Sequence, residues 1–217
     1  MALELAVLLA AVLGLAWGLA ADRIASRWPE HEDGSTRAVD WRTAVVAFVG
    51  AGTGAVLVDR FQADIPSLLF LAPVVGVLVL LFAIDLDQRL LPDVLTYPLA
   101  ASALVGFVTA LGPFVRTPSE LLWATIAAVG IPALMYALSI PFGAGAIGFG
   151  DLKLLVGMGL LVGASRLLSA VIVGIVSAAV VILALMLARR ITLKSYVPYG
   201  PFLILGAIWS ILGTPAA

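Results

Sequence analysis

The chain has no cysteine and a single histidine, His31, among its 217 residues. Disulfides, thiol chemistry, cysteine-held zinc and a histidine-rich metal site are therefore excluded. Charge is scarce as well: 12% of residues are charged, against 63% hydrophobic, and the net charge is −1. A soluble domain averages about 25% charged and about 45–50% apolar residues. With a mean hydropathy of +1.17, the composition is that of an integral membrane protein. No basic excess points to nucleic acid. The longest polar stretch, Asp22 to Arg42, is too short for a separate soluble domain, so the whole chain, 1–217, reads as one membrane domain. The first apolar run, Leu3 to Ala21, lacks the positive leader region of a signal peptide and reads as a retained helix.

What is present is a series of long apolar runs. A spanning helix needs about 20 apolar residues. Spans are expected at 3–21, 43–58, 67–84, 94–112, 119–140, 151–164, 167–188 and 198–214. The fold class is all-α, a polytopic membrane bundle of about eight helices. Loop charges sort into two groups. Arg23, Arg27, Arg37, Arg42, Arg89, Lys153, Arg189, Arg190 and Lys194 fall on one side; Arg60, Arg116 and Arg166 fall on the other. The larger group marks the cytoplasmic side, with both termini outside.

Against this background two aspartates stand out. Asp85 closes the third run in Ala83-Ile84-Asp85-Leu86-Asp87, and Asp151 opens the sixth in Gly148-Phe149-Gly150-Asp151. An ionisable group at the edge of the hydrocarbon is costly, and so points to function. Two complete spans separate the pair, so both lie on one face whichever way the protein is oriented. Two carboxylates brought together in a partly dry setting do not both ionise easily. One keeps a proton, the other is free, and acid and base roles divide between them. The structural alternative is that each merely faces water or caps a helix, which Asp151 is well placed to do.

The neighbours have their own readings. Gly148 and Gly150, with Gly143 and Gly145 upstream, permit unusual backbone conformations and close approach of another strand; equally they make a flexible loop. Asp93, after Pro92, reads as the N-cap of the fourth helix, and Asp87 as solvated. Arg89 is suited to a carboxylate or a lipid phosphate. Lys153 either tunes Asp151 or snorkels to the interface. Pro198, Gly200 and Pro201 make a stiff entry to the last helix.

Three stretches resemble the prepilin peptidases, the leader peptidases of type IV pili and type II secretion and members of the GxGD membrane aspartyl proteases. They are Ala83-Ile84-Asp85 with Arg89-Leu90-Leu91-Pro92-Asp93-Val94-Leu95-Thr96; Ile147-Gly148-Phe149-Gly150-Asp151-Leu152-Lys153-Leu154; and Val197-Pro198-Tyr199-Gly200-Pro201-Phe202. The resemblance implies that Asp85 and Asp151 are catalytic. Gly148, Gly150, Lys153, Arg89 and Pro92 then shape the site. It implies no cofactor, a prepilin or pseudopilin substrate cut between its basic leader and apolar helix, contact with membrane lipid, and a site on the cytoplasmic face of the plasma membrane. Longer members carry two CxxC pairs after the first span and methylate the new N-terminus; here 22–42 is short and cysteine-free, which argues against methylation. In this the chain looks like the short peptidases of tight-adherence or Flp-type pili, or of Gram-positive systems. Two other classes fit the composition alone: a small transporter or channel with intramembrane carboxylates, and a structural subunit of a secretion machine.

Overall fold

A computed structural model describes residues 2–30, 34–143, 147–190, 192 and 199–213. Among these are eight α-helices, one short 3-10 turn at Ile140–Phe142 and no strand. The helices are α1 (Ala2–Ala25), α2 (Trp41–Phe61), α3 (Ile65–Gln88), α4 (Asp93–Val108), α5 (Pro118–Ser139), α6 (Phe149–Val162), α7 (Ala164–Leu187) and α8 (Gly200–Leu212). Each expected span has its helix, and the all-α bundle is as expected. Boundaries shift by up to four residues: α1 and α3 run on to Ala25 and Gln88, beyond the expected ends at 21 and 84. The fourth span, expected to reach residue 112, ends at Val108, because Ala110 adopts a left-handed φ of 55° that no α-helix continues through.

Five helices, α1, α2, α3, α5 and α7, are long and apolar enough to cross a membrane. Their outward faces are apolar too: Leu13, Phe48 and Leu187 are 70%, 74% and 76% exposed. Water would penalise such a surface and hydrocarbon would not. This is a multi-pass membrane protein.

α3 is the helix the others surround. Leu71, Leu78, Leu81 and Ile84 have no exposed surface, and α1, α2, α4 and α8 all pack against it. α6 packs against α4 and α5, and α7 against α8. Lipid tails are as apolar as leucine, so helices in a membrane associate through close packing rather than through water exclusion. α1 and α2 achieve it with glycine. A Cβ on Gly50 would strike the carbonyl oxygen of Gly14 and come within 3.0 Å of the Gly18 Cα.

Local chemistry sets the helix ends. Asp40 caps α2 by accepting from the Arg42 N–H at 2.8 Å. Thr117 and Glu120 form a reciprocal capping box at the start of α5. At the start of α3, hydrogen bonds from the Ser67 hydroxyl and backbone N–H hold the Asp64 carboxyl below the usual range.

The charged groups gather at two ends of the bundle. Arg60 reaches the Gly213 carbonyl (3.4 Å), Arg166 the Ser210 carbonyl (3.2 Å), and Arg116 lies 3.9 Å from Asp64. These three arginines are the group expected opposite the site. Lys194 lies outside the described residues.

Gly50→Val is expected to lower thermal stability in detergent by about 1–3 kcal/mol, the usual cost of overpacking. Gly130→Ala, in α5 with nothing within 4 Å of the new Cβ, is expected to leave stability unchanged or raise it by up to about 1 kcal/mol. Equal effects of the two would contradict the close α1–α2 packing.

Candidate active site

The site forms where the last turn of α3, the first turns of α6 and α8, and the link from α3 to α4 converge. α3 ends at Arg89, which takes a left-handed conformation (φ 58°) while its N–H bonds the Asp85 carbonyl at 2.9 Å. Asp85 therefore belongs to the final closed turn. It is 5% exposed. The chain then leaves through Leu90 and Leu91 to Pro92, whose extended backbone starts α4.

Asp151 is the third residue of α6, after the N-cap Gly148. The Gly148 backbone N–H acts on its carboxylate, but Gly148 rather than Asp151 is the N-cap of α6. Asp151 acts electrostatically on Asp85, as does the Arg89 charge. Two helices, α4 and α5, lie between α3 and α6 in sequence, yet the carboxylates reach one end of the bundle, as span counting predicts.

The third wall is α8. Gly200 lies directly against Asp85: a Cβ there would collide with Oδ2 and stand 2.7 Å from Cγ. Tyr199, just before it, is in electrostatic contact with Asp151. Three buried polar atoms at Asp85 Oδ2, Thr96 Oγ1 and Tyr199 OH have no hydrogen-bond partner among the described residues. Buried polar atoms are nearly always paired. In the sequence Gly200 belongs to a stiff helix entry, and with Tyr199 to the third motif of the resemblance, with no sign of its contact with Asp85; Pro198 lies outside the described residues.

Several sequence expectations are corrected. Asp93 does not cap α4. Pro92 occupies the N-cap with no side-chain hydrogen bond, and Asp93 instead takes Lys153 Nζ at 2.6 Å and 2.8 Å. Lys153 thus neither tunes Asp151 directly nor simply snorkels; it ties α6 to α4, with its ammonium 5.2 Å from the Tyr97 ring centre. Asp87 is not solvated. Its side chain is 3% exposed, with Arg37 Nε 2.7 Å and an Arg42 guanidinium nitrogen 2.8 Å from Oδ1. Gly148 and Gly150 need no special backbone: Gly148 has φ −69° and Gly150 is helical. Gly150 is required for space, since a Cβ would stand 2.8 Å from that of Leu91. Gly143, at φ 101°, does use glycine's freedom; Gly145 lies outside the described residues.

Among the described residues no three of His, Cys, Asp and Glu come together as a metal-holding group; His31 lies outside them.

Residues 68–183, more than half of the chain, match the type IV leader peptidase family. Curated relatives share the likeness. A prepilin leader peptidase/N-methyltransferase of Burkholderia pseudomallei (strain 1026b) is 31% identical over 134 residues, 61% of this chain and 43% of the relative. One from Aeromonas hydrophila is 32% identical over 136 residues, 63% of this chain and 46% of the relative. One from Dickeya chrysanthemi is 26% identical over 180 residues, 81% of this chain and 62% of the relative. The chain thus spans about half the length of the first two. No solved structure matches.

Alanine has the better helix propensity by about 1 kcal/mol, so Gly200→Ala would stabilise α8 but for Asp85. Its expected effect is a loss of about 1–3 kcal/mol from steric overlap, read by thermal unfolding in detergent. In an Asp85→Ala background the loss is expected to vanish. An equal loss in both backgrounds would contradict the contact.

Proposed function

Because the chain belongs to the type IV leader peptidase family, we propose that it is an aspartic endopeptidase that removes the leader from prepilin-like proteins. Asp85 and Asp151 form its catalytic pair. The observation that carries this reading is the electrostatic influence of Asp151 on the buried Asp85, at the end of the bundle where α8 packs against both α3 and α6. Relatives named prepilin leader peptidase/N-methyltransferase supply the substrate class.

The chemistry follows from two unequal carboxyl groups. The ionised one takes a proton from a water, and the resulting nucleophile attacks the peptide carbonyl carbon. The protonated one donates a hydrogen bond to the carbonyl oxygen, and its proton neutralises the tetrahedral oxyanion. Collapse of that intermediate breaks the C–N bond, and the amine leaves with the proton first taken from water. The products are a free carboxyl on the leader and a free amine on the mature protein. No covalent enzyme intermediate and no cofactor is needed.

The remaining residues supply shape. Gly150 admits Leu91 against the start of α6. Gly148 opens α6 with its backbone N–H beside Asp151. Pro92 and Arg89 fix the turn out of α3, and Lys153 fastens α6 to α4. The substrate's apolar helix lies in the membrane and its basic leader in the cytoplasm. Eight described cations on the site's side of the loops, from Arg23 to Arg190, support a cytoplasmic site in the plasma membrane. The reading treats 1–217 as one peptidase domain in which 22–42 stands where longer members carry a cysteine-containing domain. It extends to cleavage alone, not to methylation.

Co-expression with a candidate prepilin tests this on a gel. Wild type is expected to give the leader-loss shift, whereas Asp85→Asn and Asp151→Asn each give none at an unchanged protein level. Asp93→Asn, which loosens only the Lys153 tie, is expected to retain cleavage. Normal processing by either catalytic variant removes that residue from the mechanism. Ion flux in liposomes that depends on both aspartates, without cleavage, would replace the peptidase reading with a transport one.

A further inference from the structure

The 22–42 segment is joined to α3 by a compact set of charges. Arg37 pairs with Asp22 (no exposed side-chain surface beyond 1%), with Asp40 at 2.6 Å and with Asp87 at 2.7 Å. Arg42 reaches the same Asp87 oxygen at 2.8 Å. Arg23 and Thr43 complete the shell around Asp22. Asp40 also caps α2. One residue further along α3, the Gln88 amide donates to the carbonyls of Ala25 (3.0 Å) and Pro29 (2.8 Å). The end of α1, the start of α2 and the end of α3 are thus fastened together by their own side chains and by Arg37 and Asp40 of the connecting segment.

The fastening lies two residues from Asp85. Two helical residues subtend roughly 200° about the axis. Asp87 therefore points away from Asp85, and holding Asp87 fixes the rotation of the turn that carries Asp85. The opposite side of the same turn abuts Gly200. Apolar packing stabilises as well as buried ion pairs or better, and the best-attested use of such pairs is to select one register.

We propose that Asp87, held by Arg37 and Arg42, is a positioning residue: it sets the rotation of the α3 end and so delivers the Asp85 carboxylate to the catalytic pair. This rests on the peptidase reading above. Asp87 touches no reacting atom in this scheme. Small displacements of a reacting group are expensive, since about 1 Å costs on the order of 100-fold in rate.

The test uses the full chain in detergent with a synthetic prepilin-like substrate made of a basic leader, a small residue and an apolar helix. Asp87→Asn and Arg37→Gln are each expected to lower kcat roughly 10–100-fold with little change in KM. The double variant is expected to lose less than the two single losses combined, because the two variants share the Arg37–Asp87 contact. Arg37→Lys is expected to recover part of the loss. A second readout needs no substrate. The chain is cysteine-free, so spin labels on Leu90→Cys and Phe149→Cys, both exposed positions, report the separation of the α3 end from the α6 start. Asp87→Asn is expected to broaden that distance distribution. An unchanged kcat, or a lowered kcat with an unchanged distribution, overturns the proposal. If Asp87→Asn folds poorly, Arg42→Gln, which leaves Arg37 in place, gives a smaller change in the same direction; wild-type kcat and distribution there overturn it as well. If even the wild type cuts no such substrate, the peptidase reading fails, and the label distances decide the clamp alone.

Discussion

The structure depends on bringing two carboxylates to one end of a bundle whose other contents are almost entirely apolar. Asp151 acts electrostatically on Asp85 although the two sit on α6 and α3. An ionisable group beside hydrocarbon is costly unless water or a partner receives it. The fold meets this by ending α3 with a left-handed turn at Arg89 and starting α6 at Gly148, so both carboxylates lie in terminal turns. Two intervening helices then guarantee a shared face.

Close approach of backbones makes that meeting possible. Gly200 lets α8 lie on Asp85, and Gly150 lets α6 lie on Leu91. Small residues serve the same purpose in the scaffold, where Gly14 and Gly50 let α1 and α2 touch through their backbones. The motif glycines are thus explained mainly by space. In a membrane, where water drives little association between helices, space of this kind carries much of the packing.

The number and order of helices were legible in the sequence because polar or glycine- and proline-rich links separate the apolar runs, five of which form helices long enough to cross a bilayer. Span parity then put Asp85 and Asp151 on one face without any knowledge of contacts. What sequence could not reveal was pairing between distant side chains. Pro92-Asp93 has the local signature of a cap, yet Asp93 finds Lys153, 60 residues away. Asp87 looks like a solvated neighbour of Asp85, yet Arg37 and Arg42 enclose it from a segment that reads as a mere connection. Gly200 carries no sign of Asp85 in its flanking residues. Local rules predict local ends; they say nothing of which charge a loop brings back.

The central claim is that Asp85 and Asp151 belong to one site. Because the protein has no cysteine, Asp85→Cys and Asp151→Cys together create a unique thiol pair. The measurement is intramolecular cross-linking of the full chain by a short bifunctional thiol reagent, beside an Asp64→Cys and Asp151→Cys pair whose members lie at opposite ends of the bundle. The account predicts efficient cross-linking of the 85–151 pair and none of the 64–151 pair. Failure of the 85–151 pair to cross-link, with both thiols shown to react singly, would contradict it.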